Sequence, residues 1–146
     1  VWICTDHGIN LYQKSTGKLL NFIVYDKTGK YSTAWAYDIL QDQMGRMWMA
    51  SYQGGVFVLD KQRLLAAISL SSAATATCVA DYHFSDKGKN ALSGLHIGQL
   101  VLDGKGMVWA SSYNHLKDGS FHYHQPLIIA EGVCFLDTLI KKVFDQ

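Results

Sequence analysis

The chain has 146 residues, 49% of them hydrophobic and 17% charged, with a formal net charge of +1. That is the length of one ordinary domain with enough apolar content for a core. Near-neutral charge and the lack of any basic run of five residues exclude a nucleic acid or an anionic membrane surface as an expected partner.

One Pro and no low-complexity tract speak against disorder, and eight Tyr, six Phe and four Trp suit packed sheets. The cysteines, Cys4, Cys78 and Cys134, are odd in number and widely spaced, with no CxxC pair. They read as buried thiols acting as small hydrophobes, which leaves the redox compartment open. The most apolar run, Leu64 to Ala80, carries Ser69, Ser71, Ser72, Thr75 and Thr77, too many hydroxyls for a membrane span.

Taken in order, Val1 to Thr5 reads as a strand, Asp6-His7-Gly8 as a turn, and Ile9 to Tyr12 as the next strand. Ser15 to Lys18 turns again, Leu19 to Tyr25 forms a third strand, and Asp26 to Lys30 is a polar loop. A full four-strand unit then begins at Ala36-Tyr37-Asp38-Ile39-Leu40-Gln41. Its second strand is Met47 to Tyr52 and its third is Val56 to Leu59. A short helix is expected near residues 61–67 with Asp60 as N-cap, followed by Thr75 to Phe84 as the fourth strand. A loop from Ser85 to Gly94 leads to Ile97 to Leu102, the first strand of a third unit, and Met107 to Ser112 is its second.

Two stretches match. Asp42-Gln43-Met44-Gly45-Arg46-Met47-Trp48-Met49-Ala50-Ser51 recurs as Asp103-Gly104-Lys105-Gly106-Met107-Val108-Trp109-Ala110-Ser111-Ser112. The back half appears once more as Trp2-Ile3-Cys4-Thr5. In this pattern the Asp caps backbone N–H groups of a hairpin, and Gly three residues later takes the left-handed position. Trp2 and Trp48 are 46 residues apart, and Trp48 and Trp109 are 61 apart. A basic period in the forties fits one four-stranded propeller blade. The expected fold is therefore all-β, a partial β-propeller of about three four-stranded antiparallel blades with the first incomplete. Blade 1 is expected over about residues 1–30, blade 2 over 35–85 and blade 3 over 96–146.

A blade is covered on both faces, so its strands should read as apolar runs. Met47-Trp48-Met49-Ala50 and Val56-Phe57-Val58-Leu59 do so. Trp2, Trp48 and Trp109 are expected as wedges between blades. In the third unit, Gly132-Val133-Cys134-Phe135-Leu136-Asp137 matches Gly55-Val56-Phe57-Val58-Leu59-Asp60 in type. Six residues separate Trp48 from Gly55 and twenty-two separate Trp109 from Gly132, which implies an inserted hairpin or flap over residues 113–131. Leu139 to Phe144 would be the closing strand.

The pattern Asp-x-x-Gly-x-x-Trp-x-x-Ser/Thr, followed by a Gly-led apolar strand, resembles the two-component regulator propeller repeat. Trp2-Ile3-Cys4-Thr5-Asp6-His7-Gly8-Ile9-Asn10-Leu11-Tyr12 is similar to that family's Trp-Ile-Gly-Thr-x-x-Gly-Leu-x-x-Tyr pattern, and Asn90-Ala91-Leu92-Ser93 to its inter-blade linker. Cys4 and Ala50 stand where the family often has Gly. The resemblance implies a non-catalytic sensor segment in the periplasmic part of a hybrid histidine kinase of the inner membrane, responding to a carbohydrate. It implies no cofactor. The chain opens in mid-motif, so it is expected to be a piece of a longer receptor. Its partners would be other propeller blades of that receptor or a second copy of this chain.

Within a blade, the loops from second to third strand and from fourth strand to the next blade share one rim. Both long loops, 85–96 and 113–131, fall there, and so do Trp35 and His96, which are equivalent by an offset of 61. Loops held by a rigid scaffold are where function concentrates. Candidate ligand-binding residues are therefore Trp35, His96, Tyr113, His115, His122, Tyr123 and His124, with an oligosaccharide as the ligand class. The competing reading is that the flap packs on a neighbouring blade or chain. His122 and His124 supply two imidazoles without an evident third ligand, so no metal site is expected. No Ser-nucleophile elbow or phosphate loop occurs. A streptogramin-lyase-like propeller enzyme and a WD-type interaction scaffold are the alternatives. The first is weakened because Glu131 is the only Glu, the second because WD and GH dipeptides are missing.

Overall fold

The computed structural model describes residues 1–88, 91–92 and 94–115, together with the strands 121–123, 127–130 and 133–134; side chains are described as far as residue 112. Its first sheet contains β1 (Trp2–Thr5), β2 (Gly8–Gln13) and β3 (Lys18–Tyr25) as an antiparallel meander. The second contains β4 (Ala36–Gln41), β5 (Arg46–Ser51) and β6 (Gly55–Asp60). Then follow α1 (Lys61–Leu70), β7 (Thr75–Val79), β8 (Tyr82–Phe84), β9 (Ile97–Leu102) and β10 (Val108–His115). The last described strands are β11 (Phe121–Tyr123), β12 (Leu127–Ala130) and β13 (Val133–Cys134). The molecule is an all-β partial propeller: β4 lies against β1 on one side and β9 on the other, so three sheets stack in sequence order.

The Asp–Gly hairpins explain why the repeat starts where it does. Asp42 Oδ1 accepts from the N–H groups of Met44 and Arg46, each at 2.9 Å. Gly45 takes φ +79°, the left-handed conformation that suits glycine. Asp42 Oδ2 then reaches six residues on and accepts from the Trp48 indole N–H at 2.8 Å. Asp103 repeats this on Lys105, Met107 and Trp109, with the indole bond at 2.9 Å. The motif is thus one hydrogen-bonded unit: the carboxylate that shapes the turn also fixes the tryptophan.

Registers align across the blades. Trp2 pairs with Leu11, Trp48 with Val58 and Trp109 with Ile128. Along β5, Met47 and Met49 join a core with Ile9, Phe22 and Val24 of the first sheet. Trp48 and Ala50 point the other way, into a core with Ile97, Leu100, Val108 and Ala110 of the third. The second sheet is therefore buried on both faces. Trp2 packs against the core shared with the second sheet, so each Trp faces the following blade. Trp109 also has this orientation and is only half-buried.

Three expectations need correction. Thr75 to Phe84 is not one strand of the second blade. Its first half, β7, runs parallel to β3 and is the fourth strand of the first sheet, while β8 alone completes the second. The sheets are thus not purely antiparallel. The break falls at Asp81, whose Oδ2 accepts from Asp60 N–H at 2.9 Å and whose Oδ1 pairs with Arg63. These contacts close residues 61–81 into an excursion that starts and ends at the edge of β6. The third place in the third sheet belongs to β12, paired with β10, and not to Gly132–Asp137; Val133–Cys134 pairs outside it on β12. The proposed closing strand Leu139 to Phe144 lies outside the described residues.

Helix α1 forms where expected and extends to Leu70, with the Asp60 side chain accepting from Arg63 N–H. Leu64 and Ile68 bury its inner face against the first core. Among the described residues no helix is long and apolar enough to cross a membrane.

Candidate functional site

One rim of the stack gathers aromatic side chains from three segments. The loop before β4 contributes Trp35, the β5–β6 turn contributes Tyr52, and the segment before β9 contributes His96. Tyr52 is the centre: its ring lies 4.6 Å from Trp35 and 4.5 Å from His96, centroid to centroid. Tyr37 meets it edge-on at 5.9 Å. Trp35 keeps 47% of its surface exposed although it leans on Tyr52. Two of the sequence candidates, Trp35 and His96, are therefore brought to one cluster. Tyr52 and Tyr37 were missed.

Tyr37 reaches the rim because of a local irregularity. The register between β4 and β5 slips between Ala36 and Asp38, leaving Tyr37 as the extra residue of a bulge. The equivalent slip between β9 and β10 leaves Gly98 there, 61 residues on. Asp38, next to the bulge, accepts from Leu100 N–H at 2.8 Å and so ties the second sheet to the third.

The cluster sits on a bolted support. Tyr52 N–H donates to the Trp35 carbonyl at 2.9 Å, and Ser51 Oγ donates to the Ser32 carbonyl at 2.8 Å. Gly55 N–H donates to the Leu95 carbonyl at 3.0 Å. His83 Nε2 donates to the Gly54 carbonyl at 2.7 Å while its ring packs between Tyr31 and Phe57. A Cβ on Gly54 would lie 2.6 Å from the Ser32 carbonyl oxygen, so only glycine lets the turn close on that loop. Between Tyr52 and Gly54, Gln53 is held at φ +60°, the one described non-glycine residue at positive φ. Such backbone persists where the surroundings over-determine it. A cavity of about 240 Å³ opens here, lined by Lys30, Tyr31, Ser32, Ala34, Trp35, Tyr52, Gln53 and Gly54.

The 113–131 candidates are placed by backbone. Ser112 pairs with Ile97, so β10 runs on past the register of His96 into Tyr113–His115. There β11 folds back on it, Tyr113 opposite Tyr123, Asn114 opposite His122 and His115 opposite Phe121. The insertion is therefore a hairpin that leaves the third sheet beside His96. His124 lies outside the described residues. Among the described residues no group of three His, Cys, Asp or Glu side chains could hold a metal ion.

A second cavity, of about 540 Å³, lies between the Tyr25–Gly29 loop and Thr77–Val79. It carries no clustered aromatic rings. Burial, reinforced by the charge of Asp38, pushes the Cys4 thiol up to about 11, and burial raises Cys78 against the opposing charge of Arg63.

Solved structures similar to this chain include two of an extracellular domain. The extracellular domain of a hybrid two-component system from B. thetaiotaomicron matches with a TM-score of 0.76 and 30% identity, over 96% of this chain and 17% of that one. A second structure of the extracellular domain of that same system, there described as one-component, matches at 0.63 and 25% identity, over 91% of this chain and 22% of that one. The chain thus spans about a fifth of the length of the structures it resembles. No family model and no curated protein matches it.

Proposed function

We propose that this chain is a ligand-sensing, non-catalytic propeller segment of an extracytoplasmic receptor of the hybrid two-component type. The similarity to the extracellular domain of such a system at 30% identity over nearly the whole chain supports the sensor reading. On this reading the segment lies in the periplasm, as part of a receptor of the inner membrane whose kinase modules are elsewhere. Its partners are further blades of that receptor, or a second copy of the chain.

The observation that carries a binding role is the half-exposed Trp35 ring resting on Tyr52, backed by Tyr37 and His96 and held by hydrogen bonds from three segments. An exposed flat ring on a rigid support is a platform for a sugar ring, whose axial C–H groups stack while polar neighbours fix orientation. The carbohydrate is bound at this rim, and the β10–β11 hairpin with Tyr113, His115, His122 and Tyr123 borders it. The test is calorimetric titration of the protein with a panel of oligosaccharides. Binding to at least one, weakened about tenfold or more by Trp35→Ala and by Tyr52→Ala, is the expected result. Unchanged affinity in both variants, or no binding across the panel, would end the proposal.

A further inference from the structure

The rim cavity has a sign. Its lining holds one charged side chain, Lys30, and no acidic one. Lys30 Nζ lies 5.0 Å from the centroid of the Tyr31 ring, so the ammonium is held against an aromatic face beside Trp35 and Tyr52. Among the described residues it forms no ion pair. The acid closest to it in the loop, Asp26, is already committed. Its Oδ1 accepts from Tyr31 N–H at 2.8 Å, and its Oδ2 accepts from Thr28 N–H and from the Thr28 hydroxyl. Those bonds also hold Asp26 ionised, because together they outweigh the burial that acts the other way. The Asp26 carboxylate therefore has its acceptor capacity turned into its own loop.

An aromatic cavity of 240 Å³ has room for about one sugar ring, below the roughly 300–1,000 Å³ of a drug-sized site. The exposed Lys30 ammonium at its edge, with no ion-pair partner among the described residues, favours a ligand that brings a negative charge, because a charge-assisted hydrogen bond exceeds a neutral one. We propose that the rim selects an acidic saccharide, one whose carboxylate or sulfate reaches Lys30 while its ring stacks on Trp35. The Gln53 side chain, which also lines the cavity, supplies the neutral donor and acceptor for a neighbouring hydroxyl. This rests on the rim being the saccharide site proposed above.

The experiment compares a neutral gluco-oligosaccharide with its C6-carboxylated and C6-sulfated counterparts, titrated into the protein at low salt and at about 0.5 M salt. The expected result is an advantage of about tenfold or more for one or both acidic forms, reduced by salt and abolished by Lys30→Gln. A larger gain for the carboxylated form identifies a uronate and a larger gain for the sulfated form a sulfated sugar; either supports the inference. Equal binding of neutral and acidic forms overturns the charge preference while leaving the rim site in place. An acidic preference that survives Lys30→Gln overturns the assignment to Lys30. Binding of none of the three removes the rim reading and this inference with it.

Discussion

Asp42 is bonded to two backbone N–H groups, to Arg46 Nε and to the Trp48 indole, with its side chain only 4% exposed. Burial alone would raise its carboxyl, but the indole, the Arg46 backbone and the Arg46 guanidinium together hold it below the usual carboxylate range. Hydrogen bonds from the Trp109 indole and the Met107 backbone lower Asp103 in the same way. A carboxyl lowered on folding stabilises the fold above its unfolded value of about 3.9, and that contribution is lost as pH falls through the folded value. Thermal melts should therefore change little above about pH 5 and drop below about pH 4. Asp42→Asn should flatten that acid limb and cost about 2 kcal/mol at neutral pH, since it weakens the acceptor of a buried indole and a guanidinium. An unchanged acid limb in the variant would remove Asp42 from the account.

The two tryptophans make a paired test. Trp48 is buried between two sheets, so Trp48→Ala should cost about 3–5 kcal/mol by denaturant titration. Trp109 keeps the same bond to its Asp but is half-buried, so Trp109→Ala should cost less than half as much. Raised thiol values at Cys4 and Cys78 predict slow labelling by a thiol reagent at pH 8 in a Cys134→Ser background, with fast labelling after denaturation.

At the scale of elements, the α1–β7 excursion binds two blades together. β7 adds to the first sheet while Leu64, Ile68, Ala76 and Cys78 close the core between the first two. Asp81 is its clasp. Asp81→Ala leaves Asp60 N–H and Arg63 without their acceptor and should cost about 1–3 kcal/mol. Amide exchange should then accelerate over residues 61–79 more than over β5 and β6; uniform acceleration would mean that no separate unit opens. The sequence hid this element because Thr75 to Phe84 reads as one apolar, β-branched run. Only Asp81 interrupts it, and its partners are 18 and 21 residues away. The turn chemistry was legible because it is local: Asp and Gly act within four residues. The third strand of the third sheet was not, because Leu127–Ala130 and Gly132–Asp137 are equally apolar and pairing with β10 decides between them. At the site, the equivalence of Trp35 and His96 was readable as an offset. Tyr52, which joins them, looked like the end of a strand, and the Tyr37 bulge depends on strand register. The candidates of the 113–131 segment came from the repeat spacing, which exposes an insertion, and from the rim on which blade topology puts it.

Across the whole molecule, the cover given to the second sheet is not found at the two ends among the described residues. The outer face of the first sheet exposes Ile3, Tyr12 and Leu19, and that of the third exposes Val101 beside Trp109. Where the second blade carries the buried Phe57 and the half-buried His83, the first carries Asn10 and Asn21, whose amides bond to each other at 3.1 Å. Apolar faces of this kind associate in water. Light scattering should show mass rising with concentration, and Val101→Lys should suppress the rise; a monomer at all concentrations would go against it.

Each Trp of the repeat, Trp2, Trp48 and Trp109, looks toward the higher-numbered side of its blade. Two copies meeting end to end by the contact seen inside the chain would bring unlike surfaces together, tryptophan side to asparagine side. Such a union has no two-fold axis and uses up neither type of surface on the pair as a whole. It is therefore a step of growth, which stops only when curvature brings the ends round to a closed circle, and runs on as a filament when it does not.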